Sequence, residues 1–377
     1  MTASTATTEF LDQLRIRGVE LWVEGERLRY NAPKGIINDD VLGELRKRKA
    51  EIIAVLRAEQ SENFDAPVKA IPRDGLLPLS FAQQRIWFLD ELEPDNPFYN
   101  VALAKRIRGP VDSNRLRKSL LLLIQRHEVL RSTCINTDAG PRLAITPPDS
   151  IDPDGDWFMI EPLPANISEA QLEVRVNAEV HPPVPLKTAP LIRVRLFTLS
   201  DQDAVLAFTT HHFVVDGWSC GVLMRELSQI YAALTNHEQP ELPELNIQYP
   251  DFADWQNDWM KGPQVQEQLD YWKQQLADLS TLDLPTDKPR PPVQTYRGDI
   301  HHFSLPAELG QPLKEISRKE GMTLYMTLLA AFQVLLHRYS QQDEVVLGTA
   351  VSNRHSTELE ALIGPFVNTL VLRGDLA

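Results

Sequence analysis

The clearest hydrophobic pattern runs from Ile192 to Leu234. Ile192, Val194 and Leu196 alternate with Arg193 and Arg195, the period-two signature of a half-buried strand. Ser200 to Asp203 supplies a turn. Ala204 to His212 is then apolar on both faces, as in an internal strand. After Gly217 the apolar positions fall at Leu223, Leu227, Ile230 and Leu234, the spacing of a helix packed on a sheet. The run His211-His212-Phe213-Val214-Val215-Asp216-Gly217 sits at the strand-to-helix junction.

The same reading extends outward. Leu116, Leu120, Leu123, Ile124 and Leu130 predict a helix over Arg115 to Leu130. Tyr325 to Tyr339 predicts a strongly apolar helix, and Glu344 to Thr349 a buried strand. Asn236 to Tyr249, with Pro240 and Pro243, reads as a connection between lobes. Strands mixed with helices predict a layered α/β (α+β) architecture.

The first residues are different. Leu11, Leu14 and Ile16 predict a short amphipathic helix ending near Gly18. Glu20 to Val23 and Arg27 to Tyr30 predict a hairpin turning through Glu24-Gly25-Glu26. Asn38 suits an N-cap, with Asp39 and Asp40 in a first turn. The helix behind it turns Val41, Leu45, Ile52, Val55 and Leu56 toward a core and carries the basic stripe Arg46-Lys47-Arg48-Lys49. Glu59 to Asp74 is polar and holds Pro67 and Pro72, as a linker does. The expected divisions are residues 1–58, a linker at 59–74, a first lobe at 75–238 and a second at 239–377.

Composition narrows the function. A length of 377 residues allows two or more packed units. The net charge of −14 argues against nucleic acid and against anionic membrane surfaces as partners. Residues 1–58 carry +1, so the remainder holds −15 and the small unit is electrostatically distinct. About fifty residues bury only a modest core alone, which favours self-association or partner binding. Cys134 and Cys220 have no metal-ligand spacing and read as small buried hydrophobes. No apolar run reaches the roughly 18 residues of a membrane span, and Met1 to Thr8 holds no signal-peptide core. The expected compartment is the cytoplasm.

The chemistry concentrates at the junction. An imidazole titrates near neutral pH, so a histidine fixed there can move a proton. Successive strand side chains point to opposite faces, so His211 and His212 cannot both reach one substrate. One can line a channel while the other is packed; periodicity does not say which. Asp216, just before Gly217, is placed to pair with an arginine and hold the turn. The same alternation makes a metal site from His211, His212 and Asp216 poor.

The run His211-His212-x-x-x-Asp216-Gly217-Trp218-Ser219 resembles the active-site motif of condensation domains of nonribosomal peptide synthetases. Leu79 to Leu89, Arg126 to Ser132, Tyr249 to Gln256 and Ile363 to Thr369 resemble the family's first, second, fourth and fifth motifs, in family order. Thr8 to Arg57 resembles the amino-terminal docking domains first described in the tubulysin synthetase, which are small α-β-β-α modules.

The resemblance implies two chloramphenicol-acetyltransferase-like lobes forming a V around the histidine motif. Carrier proteins upstream and downstream would present thioesters on phosphopantetheine arms, with no cofactor or metal bound by this chain. The acceptor amine would attack the donor thioester and form an amide. By carry-over His212 is the catalytic histidine, His211 and Asp216 are structural, and the Gly217 amide lies near the developing oxyanion. Arg85 or Arg297 is the expected partner of Asp216. Arg85, Trp87, Tyr249, Asp251, Trp255 and Asn368 read as packing or lobe-interface residues.

On the docking module, Arg27 and Arg29 are the expected grip on the acidic carboxyl-terminal tail of an upstream synthetase or polyketide synthase. A homodimer through residues 1–58 is a further expectation. The motif sequences resemble the subtype joining two L-residues, and a docking module favours elongation. The chain stops soon after the fifth motif, before the usual close of the second lobe, so a fragment of a longer synthetase with incomplete activity is expected. A coenzyme-A acyltransferase of the same superfamily and a non-catalytic docking scaffold are the competing readings.

Overall fold

The amino-terminal hairpin has its strands where the two strand-like runs predict them. The computed structural model describes residues 7, 10, 11, 13, 14, 19–24, 27–33, 36, 37, 39–62, 67–94, 96–164, 166–293, 298 and 300–377. Strand β1 (Glu20–Glu24) pairs antiparallel with β2 (Arg27–Asn31), in register Leu21 to Tyr30 and Val23 to Leu28. Helices α1 (Asp39–Lys47) and α2 (Lys49–Glu62) follow. Leu11, Leu14, Val19, Leu45, Ile52, Val55 and Leu56 form one small buried core.

The single helix expected behind Asn38 is interrupted at Arg48. That guanidinium is held by Glu44 at 2.7 Å and lies over the Phe10 ring at 5.5 Å. Arg48 therefore leaves the solvated stripe, while Arg46, Lys47 and Lys49 stay exposed. The expected features at Ile16, Gly18, Gly25 and Asn38 lie outside the described residues.

The chain divides into two compact units, residues 1–67 with 300–334 and residues 68–299 with 335–377. The second unit begins inside the stretch expected to be a linker. Helix α2 runs to Glu62, and Val68 joins the large core. The Ile71 amide donates to Asp251 at 2.9 Å, and Arg73 grips the same carboxylate at 2.7 and 2.9 Å. A carboxylate as enclosed as Asp251 requires such donors, which is why Ile71 and Arg73 are held rather than free.

Helix α3 (Phe81–Leu92) starts from a capping box at Ser80 and Gln83. Strand β3 (Asn100–Arg108), α4 (Ser113–Arg126), the hairpin β4 (Ser132–Thr137) and β5 (Gly140–Ile145), β6 (Phe158–Pro162), α5 (Glu169–Val180), β7 (Ile192–Ser200) and β8 (Asp203–His211) follow. The main sheet has the order β3-β8-β7-β6, antiparallel except for β6 with β7.

Strand β8 is the internal strand that the sequence predicts, buried from Ala204 to His211. Its two faces enter different cores. Leu206 and Phe208 pack with residues of α4 and of α6 (Gly217–Thr235), including Leu120, Leu123, Leu223 and Leu227. Val205 and Ala207 pack with Leu172 and Val176 of α5. Helices thus cover both faces of the sheet and hold the end of β8, where the histidines lie.

Helices α7 (Tyr249–Trp259), α8 (Pro263–Gln275), α9 (Ala307–Lys319) and α10 (Leu324–Ser340) come next. The apolar α10 is less buried than its composition predicts, with Tyr325, Phe332 and Tyr339 about half exposed. Strand β9 (Glu344–Val351), the single turn α11 (Thr357–Glu360) and β10 (Asn368–Asp375) close the order. β9 and β10 pair antiparallel. Cys134 is buried, which pushes its thiol up to about 12, and Cys220 is half-buried. Among the described residues no helix is long and apolar enough to cross a membrane.

Candidate active site

Strand β8 ends at His211, and the chain must turn before α6 begins. Backbone bonds shape that turn. The His212 amide donates to the Tyr99 carbonyl at 2.8 Å, and the Val214 amide to the His211 carbonyl at 3.0 Å. The buried Gln83 amide group reaches up from α3 to the Phe213 carbonyl at 3.3 Å. Phe213, Val214 and Val215 are fully buried and anchor the turn in the core.

The two histidines separate as strand geometry requires. His211 is the packed one, 2 % exposed. Its Nδ1 accepts the Phe213 amide at 3.0 Å, so its proton belongs on Nε2, 3.7 Å from the Asp90 carboxylate. Burial, helped by the neighbouring His212, pushes its pKa down to about 4. His211 is therefore neutral at pH 7. His212 is half-buried, and its Nδ1 is enclosed without a hydrogen-bond partner among the described residues.

Asp216 caps α6 and is almost wholly enclosed, yet its oxygens are satisfied. Oδ1 accepts from the Ser219 amide and hydroxyl, both at 2.7 Å, and from Arg354 at 3.3 Å. Oδ2 accepts the Phe366 amide at 3.1 Å. The guanidinium expected from Arg85 or Arg297 is thus supplied by Arg354. Arg85 is exposed on α3, and Arg297 lies outside the described residues.

Arg354 is the residue that sequence reasoning missed. It sits after β9, 138 positions from Asp216, and no periodic pattern links residues so far apart. The Leu359 and Leu362 carbonyls also hold its guanidinium, which lies 3.9 Å over the Phe366 ring. Burial lowers its pKa and Asp216 opposes that shift. The available signal was a lone cation in Val351-Ser352-Asn353-Arg354-His355, between the strand at Glu344 and the motif at Ile363.

The segment Ile363 to Phe366 is fixed from the other side by Tyr249. The Tyr249 hydroxyl donates to the Pro365 carbonyl at 3.0 Å and lies 2.7 Å from Ser80 Oγ. Its ring packs so closely on Gly364 that a Cβ there would lie 1.9 Å from it. Gly217 behaves differently from the expectation of a close turn. It has no positive φ, is exposed, and a Cβ there would meet nothing within 4 Å.

Tyr249, Asp251 and Trp255 take packing roles, Trp255 stacking on Phe252 at 5.8 Å. His127 and Arg126 meet the buried Glu226 of α6 at 2.8 and 3.2 Å, tying the end of α4 to α6. Arg29 is exposed on β2 and Arg27 occupies the first position of that strand. Among the described residues no group of His, Cys, Asp and Glu side chains has metal-holding geometry.

Comparison with known proteins identifies this arrangement. Residues 73–377 match the condensation domain family, and residues 8–58 match the TubC N-terminal docking domain. A component of the linear gramicidin synthase of Brevibacillus parabrevis is 43% identical over 333 residues, which cover 87% of this chain and 4% of that protein. Phosphinothricin tripeptide synthetase PhsC of Streptomyces viridochromogenes is 42% identical over 334 residues, 87% of this chain and 30% of that protein. The chain thus spans a small share of these relatives.

Among solved structures, the X-domain from teicoplanin biosynthesis superposes with a TM-score of 0.73 at 27% identity, covering 83% of this chain and 68% of that one. The condensation domain that mediates chain release from the enacyloxin polyketide synthase shares the fold, with a TM-score of 0.67 at 24% identity over 99% of this chain and 72% of that one. The motif order, the capped histidine turn and these matches together establish that the chain belongs to the condensation domain family of nonribosomal peptide synthetases, with a TubC-type docking domain before it.

Proposed function

We propose that the chain joins an upstream carrier-bound acyl or peptidyl thioester to a downstream carrier-bound aminoacyl amine. The amine nitrogen attacks the thioester carbonyl carbon. The new C–N bond forms, the C–S bond breaks, and the donor arm leaves as a thiol. His212 takes the proton lost by the amine and returns it to the sulfur. The single observation that carries this reading is that His212 is only partly buried while its neighbour His211 is packed, on a backbone pinned at Tyr99 in the turn that leads to Gly217. With Nδ1 enclosed, Nε2 is the nitrogen assigned to the reaction.

His211 and Asp216 shape the turn and do not touch substrate in this reading. The Gly217 amide, in the first turn of α6, is the donor for the oxyanion. General-base help contributes about 3–5 kcal/mol, whereas holding two tethered reactants contributes about 7–11 kcal/mol. His212→Ala is therefore expected to slow the reaction rather than abolish it.

The phosphopantetheine arms belong to the partner carriers, and the chain binds no cofactor of its own in this proposal. The docking module receives the acidic tail of an upstream synthetase or polyketide synthase through Arg27 and Arg29, and residues 1–58 self-associate. Elongation between two L-residues in the cytoplasm is the setting proposed. The experiment supplies loaded donor and acceptor carriers and follows dipeptide by mass spectrometry, with His212→Ala beside the parent. Product from carriers but not from free coenzyme-A thioesters supports the reading. Binding without product overturns it in favour of a docking scaffold.

A further inference from the structure

Ser219 has no part in capping α6 beyond its backbone, because Asp216 supplies the cap. Its side chain is nevertheless fully buried and placed among four polar groups. Asp216 Oδ1 lies at 2.7 Å, an Arg354 Nη at 2.9 Å, the Gly364 carbonyl at 2.9 Å and the Gly364 amide nitrogen at 3.0 Å. A hydroxyl has one proton and two lone pairs. Arg354 and the Gly364 amide can only donate, so they take the lone pairs. The single proton is shared between the Asp216 carboxylate and the Gly364 carbonyl. Three of the four contacts therefore tie the first turn of α6 to distant chain, two of them to Gly364, 145 positions away.

We infer that Ser219 is a positioning residue for the reaction, its hydroxyl registering the His212 turn against the Ile363–Phe366 segment; this rests on the function proposed above. The direction of the effect follows from packing. Gly364 has little freedom to follow a displaced partner, because the fully buried Tyr249 ring packs closely against it. Loss of the hydroxyl leaves the buried Gly364 amide without its acceptor, and the strain is relieved at α6. Asp216 lies three residues before Ser219, and His212 four residues before that. A shift there moves the imidazole relative to the reacting amine. Helix propensity predicts the opposite outcome, since alanine is the better helix former.

The test compares the parent with Ser219→Ala and Ser219→Cys, using loaded carriers and amide hydrogen exchange in the same preparations. The expected result is a kcat lower by about 10- to 100-fold, as for a small misplacement of a reacting group. KM for both carriers stays within about twofold, since uniform binding is untouched. The Gly364 amide loses protection while the β8 amides keep theirs. Ser219→Cys, nearly the same size but a weak hydrogen-bonder, follows Ser219→Ala and excludes a cavity as the cause. An unchanged kcat, or a rise in KM alone, overturns the inference. A parent inactive on loaded carriers defeats the proposed function instead, and an unprotected Gly364 amide in the parent removes the tie itself.

Discussion

Phe366 donates its backbone N–H to Asp216 Oδ2 at 3.1 Å, across 150 positions of sequence. Arg354 binds the other oxygen of the same carboxylate. The histidine turn is therefore closed by a clasp whose parts come from two distant stretches of chain. A buried charge left alone costs more than the pair contributes. Asp216→Ala and Arg354→Ala are each expected to destabilise the fold by about 3–5 kcal/mol. The double variant should lose clearly less than the sum of the two, because neither charge is then stranded. Urea titration of the four proteins measures this, and strict additivity would count against a direct coupling.

Two glycines near the site should respond in opposite ways. At Gly364 a methyl group would meet the Tyr249 ring at 1.9 Å, and that ring is fully buried. Gly364→Ala is expected to cost about 3 kcal/mol or more, as overpacking does at its upper end. Shortening the blocking side chain with Tyr249→Leu should return part of that loss. At Gly217 the space is open, so Gly217→Ala should leave the unfolding midpoint unchanged. It should still lower dipeptide formation, because the added methyl stands in the space assigned to substrate. Thermal melts beside product assays separate the two cases.

Much of this site was legible in the sequence. Period two in Ile192 to Leu196, apolar residues on both faces in Ala204 to His212, and four-three-four spacing after Gly217 placed the strand, the turn and the helix. Alternation also separated His211 from His212. It could not say which ring is packed, because that depends on Asp90 and the Phe213 amide. Arg354 was illegible for a different reason. A salt bridge between residues far apart in sequence leaves no local periodicity, and Arg85 stood in a recognised motif while Arg354 did not. The stretch at 59–74 resembles a linker because its few larger apolar residues, Phe64, Val68 and Ile71, are too sparse to register as a packed segment. What holds its last part, at Ile71 and Arg73, is Asp251, a carboxylate 180 positions from Ile71.

The neutral state of His211 has a consequence for acid stability. Its pKa is about 4 in the folded chain against an ordinary value of 6.5. Between those values the unfolded chain binds a proton that the folded chain refuses, so stability falls as pH drops from 6.5 toward 4 and is unaffected above that window. The full effect is about 3 kcal/mol. His211→Asn keeps an oxygen able to accept the Phe213 amide but cannot titrate. It should be less stable than the parent at pH 7, and the gap should narrow by about 3 kcal/mol at pH 4. Urea midpoints at the two values decide it; a constant gap would mean that His211 titrates in the folded chain as it does in the unfolded one.

The docking hairpin offers a test separate from catalysis. Arg27 opens β2 and Arg29, two positions on, is exposed. Cations on a surface strand attract an acidic peptide mainly by steering it, which salt weakens. Arg27→Glu is expected to weaken binding of the upstream tail by about tenfold or more at low salt, with a smaller difference at high salt. The fold should be unaffected, since the small core consists of Leu11, Leu14, Val19, Leu45, Ile52, Val55 and Leu56. Titration calorimetry with a synthetic acidic tail, beside circular dichroism of the variant, checks both parts. An unchanged affinity at low salt would move the tail to another face of the module, where the exposed Arg46, Lys47 and Lys49 are the next cations available.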